Sequence, residues 1–283
     1  MEAINFDDLS STLEKRKDLP LSHELQIIAN SYKTREIVHL KINGEQEEWH
    51  SLKGGLLKQN EEDQKKLKGI TFLVLYNPIS NKWLKIIPPE TIQKPYEGLT
   101  LRLKRSIPAA QKALRIAGLS EIADQSTECQ VEINRKKVYG FISPHIGPSI
   151  DYYLKMLLSK EDQVSANGKS FLSEVYKIAF NQALRLYLEH NVWVDDPNPG
   201  NILMHFGQNN IHVVLIDFAN NKQTARTTFE KTPPERRGEQ LLKKLRYLYS
   251  NFRTQSIKNG LDFIDYPEEY FNDIVAKHFP SKK

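Results

Sequence analysis

The order of apolar and polar residues predicts a strand-rich first half of the chain and a helix-rich second half. Residues 36–42 (EIVHLKI) alternate in the manner of a half-buried strand, whereas the highly charged residues 43–69 predict loop and helix. The runs ITFLVLY and KWLKII flank the turn formers NPISN and predict a β-hairpin over 70–87. A further pair of strands, turning at NRKK, is predicted over 129–143.

Helical patterns account for much of the rest. Residues 1–35 predict a polar helical segment, and 96–117 predict a helix that is interrupted at Ser106-Ile107-Pro108. After the helix-breaking stretch SPHIGPS, Ser149 is a plausible N-cap for the next helix. The apolar face of residues 170–190 is the clearest helical signal in the sequence.

Composition limits the class of protein. The chain has 283 residues, 39% of them hydrophobic and 27% charged, which is enough for one large domain or two lobes with cores of their own. Its apolar runs are too short to cross a bilayer, so we expect no membrane span. The net charge of +5 is spread along the chain without a nucleic-acid-binding motif, and we expect no nucleic-acid partner.

The N-terminal sequence and the single cysteine bear on location. The first residues contain no apolar core and no small-residue cleavage site, so the sequence predicts no secretory signal. Cys129 is the only cysteine and cannot form an internal disulfide, which fits a reducing compartment. We therefore expect a cytoplasmic protein.

Acids and amides are concentrated around a predicted second hairpin, ILMHF–GQNN–IHVVLIDF. Asp196 and Asn201 precede its first strand, and Asp217 ends its second strand. Because the ends of an antiparallel hairpin are neighbours, we expect these side chains to converge. Three oxygen-bearing side chains at one point suit a divalent cation. The alternative is that Asp196 and Asn198 only form turns and that Asp217 only begins a loop.

This stretch resembles a known family. The residues Asp196–Asn201 (DPNPGN), followed by two strands and Asp217–Ala219 (DFA), resemble the catalytic loop and metal-binding Asp of the protein-kinase-like superfamily. The PGN is especially similar to the aminoglycoside and choline phosphotransferase branch. The resemblance implies that Asp196 accepts or orients the acceptor hydroxyl, while Asn201 and Asp217 hold Mg²⁺ against the phosphates of ATP.

The resemblance also assigns roles upstream of this loop. Lys85 in the hairpin 70–87 would reach the ATP phosphates, and Trp83, two residues earlier on the same strand face, would stack on adenine. The alternatives are a solvated strand lysine and a core aromatic. In the hinge that follows the last N-lobe strand, backbone groups of Ile142 to Pro144 would meet the adenine edge.

The carboxylate partner of Lys85 is less defined by the sequence. Glu97, early in the helix after the strand, is the best candidate, and Glu90 and Glu121 are the alternatives. A Gly-rich phosphate loop is also undefined, with Gly54-Gly55 as a weak substitute.

Several residues depart from the kinase pattern. Val194 replaces the usual His two residues before the catalytic Asp, and Asp195 replaces the Arg beside it. Asn198 stands where typical Ser/Thr kinases have Lys, and Ala219 replaces the Gly of the D-F-G triplet. These departures favour a pseudokinase, whereas the retained Asp196, Asn201 and Asp217 favour an active enzyme.

The resemblance implies an α+β, bilobal protein-kinase-like fold. It divides the chain into an N-terminal helical extension (1–35), a β-rich N-lobe (36–143) and a reduced helical C-lobe with the catalytic loop and a short activation segment (144–283). We predict an ATP- and Mg²⁺-dependent phosphotransferase, and the small C-lobe favours a protein Ser/Thr acceptor. The alternatives are a small-molecule alcohol kinase of the aminoglycoside or choline type and a pseudokinase or nucleotide-regulated binding module. A compact kinase of this kind also suits a bacterial effector.

Overall fold

The protein has an α+β fold, as the sequence predicts. The computed structural model describes residues 12–14, 37–51, 73–87, 96–133, 135–157, 163–194, 196–218, 232–263 and 265–279. The chain divides into two compact units. The barrel unit comprises Pro20–Gln111 and Glu121–His145, and the helical unit comprises Met1–Leu19, Lys112–Ser120 and Ile146–Lys283.

The described strands and helices follow one another along the chain in a mixed order. The strands are β1 (Thr12–Glu14), β2 (Ile37–Ile42), β3 (Glu45–Ser51), β4 (Leu73–Asn77), β5 (Lys82–Ile86), β6 (Thr127–Ile133), β7 (Lys136–Pro144), β8 (Ile202–Phe206) and β9 (Asn210–Leu215). The helices are α1 (Tyr96–Ile116), α2 (Ser120–Ala123), α3 (Ile150–Leu157), α4 (Gln163–His190), α5 (Arg237–Lys258) and α6 (Glu268–His278). Short 3₁₀ turns cover Pro199–Asn201 and Pro234–Arg236.

The barrel unit is built on a closed antiparallel barrel in the order β2-β3-β4-β5-β7-β6. Both hairpins predicted over 70–87 and 129–143 are confirmed. The barrel interior is filled by buried apolar side chains of these strands, namely Leu40, Ile42, Trp49, Leu73, Leu75, Leu84, Ile86, Cys129, Val131, Ile133 and Val138. This core fixes which face of each strand points outward.

The expectation of loop and helix after residue 43 is wrong for β3. Asn43 and Gly44 have φ of 50° and 102°, the left-handed values that a two-residue hairpin turn of the Asn-Gly type requires. β2 therefore pairs along its full length with residues 45–50 of β3. Its acidic first residues are exposed or half-exposed, while Trp49 is fully buried in the barrel. Residues 52–69 of the same stretch, including Gly54-Gly55, lie outside the described residues.

The predicted interruption of the helix at Ser106-Ile107-Pro108 is also wrong. Helix α1 is continuous and contains Pro108. A proline inside a helix removes one backbone hydrogen bond. Here, burial of Leu103 against Ile87 and Phe141 holds the helix on the outside of the barrel. Ser106 Oγ also donates a hydrogen bond of 2.7 Å to the carbonyl of Leu103.

The helical unit is organised around α4, which confirms and extends the helix predicted over 170–190. Gln182, which is 1% exposed, joins this helix to β9. Its Nε2 donates to the carbonyl of Ala113 (3.3 Å) and to that of Val213 (3.1 Å), and its Oε1 accepts from Leu215 N (2.6 Å). Because both polar atoms of the Gln182 amide are hydrogen-bonded, its burial costs little free energy. The same bonds hold the hairpin against the helix.

The predicted hairpin of β8 and β9 is confirmed, and β1 adds a third strand to it. Thr12–Glu14 pairs antiparallel with Asn210–His212. This short strand differs from the helical expectation for residues 1–35, because the outer edge of β9 offers backbone hydrogen bonds that an extended segment can use. The rest of that range lies outside the described residues.

The helical unit is completed by two C-terminal helices, α5 and α6, whose bounds the sequence did not predict. Aromatic rings from α4, α5, α6 and the segment between the last two make edge and tilted contacts, namely Phe180, Tyr249, Phe252, Phe263, Tyr266, Tyr270 and Phe271. None of the helices in the described ranges combines the length and the apolar character needed to cross a membrane.

Candidate functional site

The predicted catalytic loop follows the end of α4. The helix ends at His190, and Asn191, which follows it, has a left-handed φ of 54°. Val194, where the kinase pattern has His, is 4% exposed and anchors the loop in the core. Asp196, two residues further on, is exposed. The loop therefore has a buried base and presents the predicted catalytic carboxylate to solvent.

Asn198 shapes this loop through both ends of its side chain. Its Oδ1 accepts a hydrogen bond of 2.8 Å from Gly200 N and so caps the 3₁₀ turn Pro199–Asn201. Its Nδ2 donates a hydrogen bond of 2.8 Å to Oδ2 of Asp196. The turn-forming role considered for Asn198 is thus present, and the same side chain orients the Asp196 carboxylate.

Asn201 links the loop to the hairpin. Its Nδ2 donates a hydrogen bond of 3.0 Å to the backbone carbonyl of Asp196. Its own backbone carbonyl accepts a hydrogen bond of 2.9 Å from Ile216 N, directly before Asp217. Asn201 therefore lies between the other two predicted site residues, in the position that the antiparallel pairing of β8 and β9 predicts.

The backbone at Asp217 is held in an uncommon conformation. Its φ is 65°, a left-handed value that costs a residue with a side chain on the order of 1 kcal/mol. The surroundings impose this value, because Ile216 is tied to Asn201 and the next side chain, Phe218, is 4% exposed. Between these two anchors, the Asp217 side chain is exposed.

Tyr176 of α4 is a member of this neighbourhood that no sequence motif indicated. Its side chain is fully buried, and its hydroxyl has no hydrogen-bond partner in the described part of the chain. Burial raises the pKa of Tyr176 well above its usual range, and the negative charges of Asp151 and Asp196 raise this pKa further. The hydroxyl is therefore protonated. It lies close enough to Asp196 for the negative charge of that carboxylate to raise the pKa of Tyr176.

The predicted nucleotide-binding side chains of β5 share one face of the barrel unit. Trp83 and Lys85 are half-buried, whereas the alternating Leu84 and Ile86 point into the barrel core. The indole of Trp83 packs 5.0 Å from the Tyr76 ring and 5.3 Å from the His145 ring, measured between centroids, in tilted geometry. Trp83 thus lies outside the barrel core, within a three-ring cluster.

The predicted hinge residues lie at the end of β7. Ile142 has β5 on one side, opposite Leu84, and the end of β6 on the other, opposite Thr127. Pro144 is opposite Lys82 of β5, and its register includes no residue of β6. The edge of β7 that β6 leaves unpaired therefore begins after Ile142.

Some predicted residues fall outside the described part of the chain. Glu97 lies in the first turn of α1, but its side chain is not described. The alternative Glu90 lies outside the described residues, as do Asp195 and Ala219. Glu121 is an exposed residue of α2. The carboxylate partner of Lys85 stays a prediction.

The predicted site residues divide between the two units. Asp196, Asn201 and Asp217 belong to the helical unit, whereas Trp83, Lys85, Glu97, Ile142 and Pro144 belong to the barrel unit. Within the described ranges, no group of three or more His, Cys, Asp or Glu side chains is arranged to hold a metal ion. Comparison of the chain with protein-family models, curated proteins and solved structures gave no match.

Proposed function

We propose that this protein is an ATP- and Mg²⁺-dependent phosphotransferase with a hydroxyl acceptor, built on a bilobal, protein-kinase-like fold. The observation that carries the proposal is the position of Asn201, whose side chain binds the backbone of Asp196 and whose carbonyl binds the residue before Asp217. The described elements from β4 to β9 support the proposal, because they follow the order that the resemblance implies: a hairpin bearing Lys85, a helix, two strands, helices, the loop and a second hairpin.

We propose that side-chain oxygen atoms of Asn201 and Asp217 hold a magnesium ion. Because Nδ2 of Asn201 is engaged with Asp196, the amide oxygen Oδ1 is the atom left to act as a ligand. Asp217 contributes an exposed carboxylate, and oxygen donors of these two types are the ones that Mg²⁺ prefers, together with water and phosphate oxygens. A bound Mg²⁺ ion would neutralise charge on the ATP phosphates.

Asp196 is proposed to act on the acceptor. Asn198 occupies Oδ2 of its carboxylate, which leaves Oδ1 without a hydrogen-bond donor among the described residues. An exposed carboxylate oxygen of this kind can accept a hydrogen bond from an acceptor hydroxyl, orient that hydroxyl towards the transferred phosphoryl group and take up its proton. The hydrogen bond from Asn198 keeps the carboxylate in one orientation.

The barrel unit is proposed to bind the nucleotide. The ammonium group of Lys85 would contact the phosphates as a point charge, and Trp83 would offer its indole to adenine. Both side chains emerge from the same face of β5, with Pro144 at the end of the neighbouring strand β7. We propose a protein Ser or Thr hydroxyl as the acceptor, since the exposed position of Asp196 suits a large acceptor; a small alcohol is the alternative.

The first prediction concerns the transferred group. Incubation of the full chain with Mg²⁺ and γ-labelled ATP is expected to transfer label to a protein, either this chain or an added acceptor protein. The same incubation with α-labelled ATP is expected to transfer none, because the leaving group is ADP. Matched reactions with EDTA and with Asp196→Asn serve as controls.

Other outcomes of this experiment identify the alternatives. Transfer of γ label only to an added amino alcohol or aminoglycoside would replace the protein acceptor by a small one. Transfer of α label would indicate nucleotidyl transfer. Binding of ATP without transfer of either label would indicate a nucleotide-binding pseudokinase and would overturn the proposed activity.

The second prediction concerns Trp83. Trp83→Ala is expected to weaken ATP binding about fivefold, because a lost aromatic stacking contact is worth roughly 1 kcal/mol. Isothermal titration with ATP and Mg²⁺ measures this affinity. The control is Ile79→Ala, which removes a side chain that is 87% exposed on the β4–β5 turn and should leave the affinity unchanged. Equal affinities in the two variants would show that Trp83 packs against Tyr76 and His145 without contributing to nucleotide binding.

A further inference from the structure

Two histidines face each other across the β8–β9 hairpin, at the end opposite to Asn201 and Asp217. His205 and His212 are direct register partners, so their side chains project from the same face of the sheet. Their ring centroids are 5.9 Å apart and the ring planes are inclined at 49°. Both side chains are half-buried.

The hydrogen bonds of these histidines define their tautomers. Nδ1 of His205 is 2.7 Å from the carbonyl oxygen of Ile146, and Nδ1 of His212 is 2.7 Å from that of Ala117. Because a carbonyl only accepts hydrogen bonds, Nδ1 must carry the proton in both rings. In the neutral imidazole this leaves a lone pair on each Nε2, which is the arrangement of a metal-ligating histidine supported by a backbone carbonyl.

Both Nε2 atoms are open to a ligand. In the part of the chain that the structure describes, neither Nε2 atom makes a hydrogen bond, and neither is fully buried. A Cβ atom added at Gly207 would be in van der Waals contact with Nε2 of His212, at 3.5 Å, so a side chain at this turn would lie beside that nitrogen.

The separation of the rings suits one shared ion. A Zn²⁺ ion about 2.1 Å from a ring nitrogen lies about 3.2 Å from the ring centroid, so two rings sharing an ion have centroids at most about 6.4 Å apart, or about 5.2 Å at a tetrahedral angle. The observed 5.9 Å lies between these two values. The separation of the centroids is therefore compatible with one ion bound by both Nε2 atoms.

We propose that His205 and His212 form a two-histidine site for a divalent transition-metal ion of the Zn²⁺, Ni²⁺ and Cu²⁺ class. Imidazole nitrogen favours these ions over Mg²⁺. No group of three His, Cys, Asp or Glu ligands occurs within the described ranges, so water completes the coordination. The site is distinct from the Asn201 and Asp217 oxygen atoms and does not depend on the proposed phosphotransferase activity.

The test is titration of the full chain with ZnCl₂ alone, followed by calorimetry and thermal melting. We expect one ion per chain to bind and to raise the melting temperature, because it binds the folded hairpin. His205→Asn and His212→Asn each remove one ligand while the Asn amide replaces the Nδ1 donor, and each is expected to weaken Zn²⁺ binding by at least about tenfold. His39→Asn, on the exposed face of β2, is the matched control and should bind Zn²⁺ like the parent.

A measurement on the parent protein tests the site without relying on correct folding of the variants. In ¹⁵N-labelled parent protein, Zn²⁺ is expected to shift the Nε2 resonances of both His205 and His212, and Mg²⁺ is expected to shift neither. Absence of these shifts, or Zn²⁺ affinity in both Asn variants equal to that of His39→Asn, would overturn the site. Retention of Zn²⁺ binding by Asp196→Asn is expected whether or not the protein transfers phosphate.

Discussion

Asp196→Asn is expected to reduce phosphotransfer by at least about a hundredfold, the typical contribution of a positioned general base, and to leave the Kd for ATP unchanged. The substitution keeps the size of the side chain, and the Asn201 hydrogen bond is made to the backbone carbonyl of residue 196, which the substitution retains. It removes the negative charge that would orient and deprotonate the acceptor hydroxyl. Single-turnover transfer from γ-labelled ATP and calorimetric titration with ATP measure the two quantities.

The neighbouring aspartate provides a matched control. Asp195→Asn makes the same chemical change one residue earlier, and the five-residue spacing to Asn201 selects Asp196 as the catalytic residue. We therefore expect Asp195→Asn to keep most of the activity. An inactive Asp195→Asn beside an active Asp196→Asn would show that the loop is aligned with the kinase pattern in the wrong register.

Asp217→Asn is expected to differ from Asp196→Asn in its effect on ATP binding. Asp217 supplies the charged oxygen proposed to bind Mg²⁺, so its loss should weaken Mg²⁺-dependent ATP binding as well as transfer. Binding of ATP in EDTA should be the same in both variants. This contrast separates a residue that acts on the acceptor from one that acts on the nucleotide.

The elements around the loop were predictable because their signals are local. An alternating pattern on either side of a polar turn specifies β8 and β9. Antiparallel pairing of these strands then places Asn201 beside Ile216 without any contribution from other elements. The long apolar face of α4 is similarly self-sufficient. The position of Asn201 beside the backbone of Asp196 and beside Ile216, the residue before Asp217, was therefore predictable from spacing alone.

The features that were predicted wrongly or missed are those that depend on contacts between residues far apart in the chain. β3 carries four charged or amide residues at its start, and its strand character depends on burial of Trp49 in the barrel and on the Asn43-Gly44 turn. β1 forms because β9 offers an edge nearly two hundred residues later in the chain. The proximity of Tyr176 to Asp196 and the tautomers of the paired histidines likewise depend on tertiary contacts.

Gly147→Ala is expected to lower the free energy of unfolding by about 3 kcal/mol or more, since the backbone has to move to relieve an overlap between backbone and the new Cβ atom. A Cβ atom at residue 147 would lie 1.9 Å from the carbonyl oxygen of Met204. Hydrogen bonds bracket this contact, because Met204 N donates to Pro148 O at 3.1 Å and His205 Nδ1 donates to Ile146 O at 2.7 Å. The segment therefore cannot retreat from β8 without breaking both.

Gly260→Ala is the matched control for this prediction. Gly260 also has a positive φ, of 72°, but a Cβ atom there would meet nothing within 4 Å. Gly260→Ala should therefore lower the free energy of unfolding by only about 1 kcal/mol, the usual cost of a left-handed conformation for a residue with a side chain. Urea unfolding followed by circular dichroism measures both variants. Since β8 follows directly from Asn201, displacement of the 146–148 segment should also reduce phosphotransfer, whereas Gly260→Ala should not. Equal stability of the two variants would mean that the close packing of Gly147 on β8 contributes nothing to the folded state.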